Sequence, residues 1–273
     1  MRGHTRRVIK AVLSALFVLV LAGVTYQGVS TGLERRAFRR PGRLVPVGDH
    51  QLHLACEGQG QPTVVLEAPA LGFSASWALV QTPLAEMTRV CAYDRAGLGW
   101  SESSDGPRDV RAVPNELHEL LRGGSEPAPY LLVGDGLGAS YVRLFAATFP
   151  QETAGIVTLD EGATGTQPMP SPWLARTGVL RLSYALGWQH PRVPGPSGGA
   201  VAAFSTRPDH LTRAADESRQ RTLLTSAGDN PPLSRVVPSP SEGALLSTEE
   251  GAQQIVAAVS ALIEEWRTGT PEK

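Results

Sequence analysis

Apolar and polar positions along the chain follow two repeating patterns, short continuous apolar runs and longer segments with helical periodicity. Each apolar run is typical of a strand buried on both faces, and these runs lie at residues 62–67, 89–93, 130–133 and 155–159. The helical segments lie at residues 77–87, 110–121 and 139–149. Two shorter strands are predicted at residues 43–47 and 51–55. Strands that alternate with helices predict an α/β fold, with a mostly parallel sheet and helices on both of its faces.

The amino-terminal segment departs from this alternation. Four basic residues within the first ten precede an uncharged run from Ala11 to Leu33. About 20 apolar residues cross a bilayer, so this run is long enough to span one. The basic cluster predicts a signal anchor with its amino terminus inside. A cleaved signal peptide is the alternative, with small residues at Gly28 and Ser30 but no Ala-x-Ala site. Both interpretations place the main domain outside the cytoplasm.

Composition narrows the functional classes. The chain has 273 residues, 41% hydrophobic and 19% charged, which suits one large globular domain behind the apolar run. A net charge of −1 gives no electrostatic support for nucleic-acid binding. The two cysteines, Cys56 and Cys91, have no Cys or His neighbours at metal-ligand spacing. We therefore expect no metal and no other cofactor.

A glycine-rich turn, Gly134-Asp135-Gly136-Leu137-Gly138, joins the apolar run at 130–133 to the helical segment at 139–149. A strand, a tight turn with Gly at every second position and a helix form the context of the nucleophile elbow, G-x-S-x-G. The outer glycines fit a corner where strand and helix pack so closely that a Cβ would clash. The central position, which should hold the attacking Ser, is Gly136.

Several stretches in order around this turn resemble the α/β-hydrolase superfamily, and in particular its bacterial membrane-anchored members. They are HLACEGQGQPTVVLEA (53–68), TRVCAYDRAGLGWS (88–101), PYLLVG (129–134), YVRLFAATFP (141–150) and AGIVTLD (154–160). The resemblance covers residues from about 30 to 165 and implies the α/β-hydrolase fold, with the run at 155–159 as its sixth strand. Beyond it, only residues 233–238 suggest a strand and residues 248–266 the last helix. The chain is therefore expected to lack one strand–helix unit, and LSRVV could be the seventh or the eighth strand.

The expected organisation has three parts. Residues 1–30 would form the basic amino terminus and transmembrane anchor, 31–41 a linker, and 42–273 the α/β-hydrolase-like domain. An irregular cap is expected at about 162–230, because prolines and glycines are frequent there.

The resemblance implies a Ser, an acid and a His in that chain order, and no intact set is present. Gly136 has no side chain, so a hydrolase would need another nucleophile. Asp135 and Ser140 are the two weak substitutes. Centring the elbow on Asp135 would place Val133 and Leu137 where small residues are required. Ser140 lies where the family packs a small residue against the sheet.

The other two triad members are also uncertain. The resemblance places the base just before the last helix, where the chain reads Ser-Glu-Gly-Ala-Leu at 241–245, and no His follows the cap. His190 and His210, both in the cap, are the remaining base candidates. Asp160, at the end of the sixth strand, and Asp229, near the seventh-strand position, are the acid candidates.

Two further features follow from the resemblance. The oxyanion hole would use the backbone N–H of Leu137 and that of a residue near Leu71. Backbone donors survive the loss of side chains, so a small acyl or ester-like ligand could still bind there. The fold also makes the second and fourth strands antiparallel neighbours, so Cys56 and Cys91 would meet and could form a disulfide.

Three functional hypotheses result. The first is a membrane-tethered, non-catalytic pseudohydrolase that binds a small molecule. The second is an active ester or amide hydrolase with an unconventional nucleophile. The third is a decayed gene product without a stable fold, which the missing strand–helix unit suggests.

Overall fold

The computed structural model describes residues 2–105, 109–161, 169–187, 193–195, 197–224, 231, 233–241 and 243–269. For residues 2, 3, 35, 160 and 161 only the backbone is described.

The described elements alternate as the sequence predicts. The strands are β1 (Arg43–Val47), β2 (His50–Glu57), β3 (Thr63–Glu67), β4 (Val90–Tyr93), β5 (Tyr130–Asp135), β6 (Thr153–Glu161) and β7 (Ser234–Ser239). The first helices are α1 (Arg2–Ala37), α2 (Ala78–Ala85), α3 (Val113–Gly123) and α4 (Leu137–Thr148). The later helices are α5 (Pro172–Arg176), α6 (Val179–Ala185), α7 (Gly198–Phe204), α8 (Pro208–Arg219) and α9 (Glu249–Thr268).

The strands form one sheet in the order β1-β2-β4-β3-β5-β6-β7. β2 runs antiparallel to β1 and β4, and all other neighbours are parallel. The predicted mostly parallel sheet is therefore confirmed. β7 pairs with β6, so LSRVV takes the seventh position. In the described part of the chain no strand follows it, and α9 comes next.

Successive side chains of the central strands point to opposite faces of the sheet and pack into two apolar layers, because the side-chain period of a strand is two. On β3, Val64 and Leu66 face the layer under α2 and α9. Val65 faces the opposite layer, under α3 and α4. The carboxyl ends of β3 and β5 lie side by side, with Glu67 opposite Gly134. This edge of the sheet therefore carries the glycine-rich turn.

The amino-terminal helix α1 is longer than expected. It continues to Ala37, through most of the predicted linker at 31–41. Its segment from His4 to Glu34 contains an 18-residue stretch with a mean hydropathy of 2.4 and is long and apolar enough to cross a membrane. The last turns are helical because they pack on the cap: Gln27 is buried, and Glu34 forms an ion pair with Arg181.

Between β6 and β7 the described residues form four α-helices, α5 to α8. They occupy the region expected to be an irregular cap. Residues 162–168, 188–192 and 225–230 lie outside the described part of the chain.

The two cysteines lie opposite each other on β2 and β4. Cys56 and Cys91 form a disulfide, with their Cα atoms 4.0 Å apart. The bond links the antiparallel edge of the sheet to its parallel centre.

Candidate active-site region

The glycine-rich turn has the geometry of an elbow. Gly136 has φ 57° and ψ −113°, a left-handed conformation that favours glycine. A Cβ on Gly134 would lie 2.6 Å from the Gly138 carbonyl oxygen, and one on Gly138 would lie 2.5 Å from that of Glu67. Both distances are too short for a real Cβ. The outer glycines are thus sterically required, and the corner is sharp although its centre has no side chain.

Arg95 shapes the loop that follows β3. Its guanidinium is buried and donates to the carbonyl oxygens of Ala68, Pro69 and Ala70, at 2.7, 3.0 and 3.3 Å. In a planar trans peptide the N–H points opposite to the preceding C=O. The Leu71 N–H therefore points away from Arg95. This loop lacks the Gly-rich sequence usual in the family. Its peptide groups are held instead by Arg95, which follows the end of β4.

Arg95 is itself held by two buried carboxylates. It contacts Glu67 at 2.6 Å and Glu217, on α8, at 2.8 Å. Burial alone would lower the pKa of Arg95, but the charges of Glu217 and Glu67 raise it well above its usual value. Burial raises the pKa of Glu67, although Arg95 and the donating Tyr93 hydroxyl act against this. The network ties a cap helix to the sheet edge.

Asp94 has a similar structural role in the next turn. Its carboxylate accepts the backbone N–H groups of Ser74 and Trp100, at 2.7 and 2.8 Å. It also contacts His53 Nδ1 at 2.9 Å. Burial would raise the pKa of Asp94, but His53 and the backbone donors lower it. A Cβ on Gly99 would lie 2.3 Å from this carboxylate, which explains that glycine.

The loop before α9 lies against the elbow, at the place where the resemblance implies the base. Gly243 donates its backbone N–H to Asp135 Oδ2 at 2.9 Å, and Asp135 is fully buried. Asp135, a predicted substitute nucleophile, thus accepts a backbone hydrogen bond from the loop in which the resemblance implies the base. Ser140 lies half-buried in the first turn of α4.

His210 lies beside the predicted oxyanion loop. Its Nε2 donates to the Leu71 carbonyl at 2.9 Å, and its Nδ1 accepts the Gly99 N–H at 3.3 Å. Burial lowers its pKa to about 4. The structure therefore brings His210 and Leu71 together as a link between cap and loop, with both ring nitrogens engaged.

The other titratable candidates are placed only in part. His190 and Asp229 lie outside the described residues. Asp160 is described by its backbone alone, which pairs with Pro238 in the sheet. Two other histidines have carboxylate partners at 2.9 and 3.1 Å, namely His50 with Asp49 and His118 with Glu152.

Two cavities lie away from the elbow. One, of about 380 Å³, lies near the end of α4 and the start of β6, where Ala146 and Thr153 line it. The other, of about 650 Å³, lies between α1 and the cap, where Gln27, Arg176 and Asp209 line it. Neither has an elbow residue in its lining.

Sequence reasoning missed the role of Arg95 and its partners. The strand patterns place Glu67 and Arg95 at the ends of buried strands, where a charged side chain needs a partner. That signal predicts a pair between them. The partner Glu217 is 122 residues further on, in a helix with no sequence mark of this contact.

No family model matches the chain. An uncharacterized protein of Schizosaccharomyces pombe is 34% identical over 132 residues, 48% of this chain and 24% of that protein. An AB hydrolase superfamily protein of Gibberella zeae is 32% identical over 98 residues, 36% of this chain and 30% of that protein. An uncharacterized vacuolar membrane protein of Saccharomyces cerevisiae is 28% identical over 116 residues, 36% of this chain and 18% of that protein. The chain spans less than half the length of these relatives.

Solved structures resemble the whole domain. A candidate acyltransferase of Salmonella enterica has a TM-score of 0.63 at 13% identity, covering 82% of this chain and 94% of that one. The epoxide hydrolase CorEH has a TM-score of 0.61 at 15% identity, covering 81% and 98%. A bacterial membrane phospholipase A has a TM-score of 0.57 at 17% identity, covering 96% and 99%. Identities this low show the fold alone, and that fold is the α/β-hydrolase fold.

Proposed function

We propose that this chain, which has the α/β-hydrolase fold, is a membrane-tethered pseudohydrolase that binds a small acyl or ester-like ligand without hydrolysing it. One observation carries the proposal. The elbow retains the left-handed turn that presents a nucleophile, with φ 57° at its centre, and the residue there is Gly136. Nucleophilic catalysis needs a side-chain atom at that point, and glycine supplies none.

The contacts of the neighbouring candidates support the absence of a triad. At the position of the base, Gly243 offers a backbone N–H to Asp135 rather than an imidazole. His210, a cap candidate, has both ring nitrogens engaged and a pKa of about 4. A general base works best when its pKa lies near the working pH. His210 is therefore poorly suited to remove a proton at neutral pH.

The same contacts weigh against an active hydrolase that uses Asp135. An attacking carboxylate must face the substrate with an oxygen atom available. Asp135 is fully buried, and one of its oxygens holds the loop before α9. Moving Asp135 outwards would break the contact with Gly243. The alternative hydrolase therefore needs a rearrangement of the loop that closes on the elbow.

Binding relies on backbone donors that glycine does not remove. Leu137 is the first residue of α4, a 12-residue helix, and its amide lies at the positive end of the helix dipole. In the loop after β3, Arg95 binds the three carbonyl oxygens that precede Leu71. The Leu71 N–H therefore points away from Arg95. Two such donors suit a carbonyl or carboxylate oxygen.

We also propose that the anchor places the domain outside the cytoplasm. The disulfide between Cys56 and Cys91 suits an oxidising compartment, and the basic amino terminus suits the inside. An alkaline phosphatase fused after α9 should then be active and a green fluorescent protein fused there should be dark. The reverse pattern would contradict this orientation.

The ligand proposal is tested with one pair of variants. Leu137→Pro removes the amide N–H, and Pro is well tolerated at the first position of a helix. Leu137→Ala removes the same buried side chain and keeps the N–H. A hydrogen bond to a neutral acceptor contributes about 0.5–1.5 kcal/mol, so Leu137→Pro should weaken methyl butyrate binding roughly 2- to 10-fold relative to Leu137→Ala. Ligand-detected NMR titration measures the difference.

Two results would refute the proposal. Equal affinity of the two variants would show that this amide does not bind the ligand. Ester turnover by the unmodified protein that disappears in Asp135→Ala or Ser140→Ala would identify a substitute nucleophile and an active hydrolase.

A further inference from the structure

Helix α1 packs along one side of the cap from Gly23 onwards. Gly23 touches the turn between α5 and α6, because a Cβ there would lie 2.1 Å from the Thr177 carbonyl oxygen. One turn later, the Gln27 amide donates to the Thr206 carbonyl at 3.0 Å and accepts from Arg181 at 3.0 Å. Glu34 then contacts Arg181 at 3.1 Å. This spacing of 23, 27 and 34 is one face of a helix.

The part of α1 that is free of the domain is too short to cross a bilayer alone. Every described side chain before Gly23 is exposed. The uncharged residues of that free part run from Ala11 to Ala22, which at 1.5 Å per residue is about 18 Å. The hydrocarbon core of a bilayer is about 30 Å thick. The remaining 12 Å, about eight residues, must come from the segment that packs on the cap.

Extending the span in the other direction is unfavourable. Lys10, Arg7 and Arg6 come immediately before the uncharged run, and charged side chains are costly in the hydrocarbon core. On the cap side, the polar amide of Gln27 is buried with partners at both ends. A polar group satisfied in this way is tolerated at membrane depth.

The cap carries an apolar surface beside this contact. Outside α1, seven large hydrophobic side chains among the described residues are strongly exposed, and five of them lie on α5, α6 or directly after α6. These five, the cap apolar face, are 43–66% exposed: Trp173, Leu174, Val179, Leu182 and Leu186. The surface of a soluble protein rarely carries so many large, exposed apolar side chains in one place.

We infer that the cap apolar face lies within the hydrocarbon of the same leaflet that the end of α1 crosses, so that the domain is both tethered to the bilayer and embedded in it. The partner that covers the cap apolar face is therefore the lipid bilayer. Gly23 and Gly178 bring the face to the depth of the anchor, since a Cβ on Gly178 would lie 2.6 Å from the Gly23 carbonyl oxygen. The exposed side chains of Arg36, Arg39 and Arg40 follow at headgroup level, where long basic side chains can keep their charge in water.

The inference rests on the membrane anchoring proposed above, and the test separates the two. Both native cysteines are in the disulfide, so a single added cysteine can carry a spin label under non-reducing conditions. The full chain is reconstituted in vesicles of phosphatidylcholine with a minority of phosphatidylglycerol. Labels are placed at Leu182→Cys on the cap apolar face, at Leu21→Cys on α1 and at Thr148→Cys.

Thr148 is the matched control. It is exposed at the end of α4, a helix that runs from the elbow towards the opposite edge of the sheet. Collision of each label with oxygen, which concentrates in hydrocarbon, is compared with collision with a water-soluble nickel chelate. The oxygen-to-nickel ratio at 182 should approach that at 21 and exceed that at 148 several-fold.

A ratio at 182 equal to that at 148, with a high ratio at 21, would overturn the embedded cap and leave the anchor intact. Low ratios at both 182 and 21 would overturn the anchor and the inference together. Because all three side chains lie on the surface of the protein, the labels leave the packed core unchanged.

Discussion

Acidification should destabilise this domain through His210. This residue is 3% exposed, and its ring packs against Phe73 and Phe204 and donates Nε2–H to the Leu71 carbonyl. Burial lowers the pKa of His210 from 6.5 to about 4. The folded state thus favours the neutral ring. The stabilising contribution is complete above pH 6.5 and is lost as the pH falls from 6.5 towards 4.

The magnitude follows from the two pKa values. A difference of 2.5 between 6.5 and about 4 corresponds to roughly 3 kcal/mol when the loss is complete. At pH 5 the unfolded His is almost fully protonated and the folded one is not, so about 2 kcal/mol should already be lost relative to pH 7.5. This loss changes the unfolding equilibrium constant roughly 30-fold.

The assay is urea unfolding in mild detergent at pH 7.5 and pH 5, for the unmodified chain and for His210→Gln. Gln keeps a donor and an acceptor for Leu71 and Gly99 but does not titrate. Subtracting its pH dependence removes the contributions of other groups, such as Glu67, whose raised pKa acts in the opposite direction. The same loss in both proteins would refute the assignment to His210, and with it the argument that this ring is held neutral.

Three further predictions concern the covalent link and the elbow. Removing the disulfide by Cys56→Ser with Cys91→Ser should lower the free energy of unfolding by about 4 kcal/mol, because a 35-residue separation is released; a loss below about 1 kcal/mol in urea titrations would contradict it. Gly138→Ala should cost at least about 2 kcal/mol by the same measurement, because its Cβ would lie 2.5 Å from a backbone oxygen of Glu67; unchanged stability would show that the corner can relax. Gly136→Ser should not restore ester hydrolysis, because triad members act as a unit and Gly243 lies where the family resemblance implies the base. Strong turnover or labelling by a fluorophosphonate would instead reveal a base in the cap, with His190 as the remaining candidate.

The sheet was predictable because its strands are local patterns. The runs at 62–67, 89–93, 130–133 and 155–159 coincide with β3 to β6 to within about two residues. Parallel strands buried on both faces read as apolar runs whatever surrounds them. The elbow was recognisable because the spacing of its glycines is a local sequence pattern, although only Gly134 is fixed by near neighbours and Gly138 is fixed by Glu67 on β3.

Long-range polar contacts could not be predicted in this way. Glu34 and the basic residues after it look like a linker, and the partner Arg181 that keeps them helical is 147 residues away. Glu217 is likewise separated by 122 residues from the arginine that it holds. No periodicity marks either pair, because a single charged residue in a helical segment gives the same sequence pattern whether it faces solvent or a distant partner.

The retained elbow is by itself no evidence for retained chemistry. Gly134 is required by the packing of α4 against β5 and Gly138 by its packing against β3, and Arg95 is required by the buried carboxylates of Glu67 and Glu217. Each would be kept by a protein that had lost catalysis but still had to fold. The amide hydrogen of Leu137 separates the two cases, because Pro, which lacks it, is tolerated at the first helical position and Leu137→Ala controls for the lost side chain. A loss of ligand binding on removing that hydrogen therefore measures function separately from the fold.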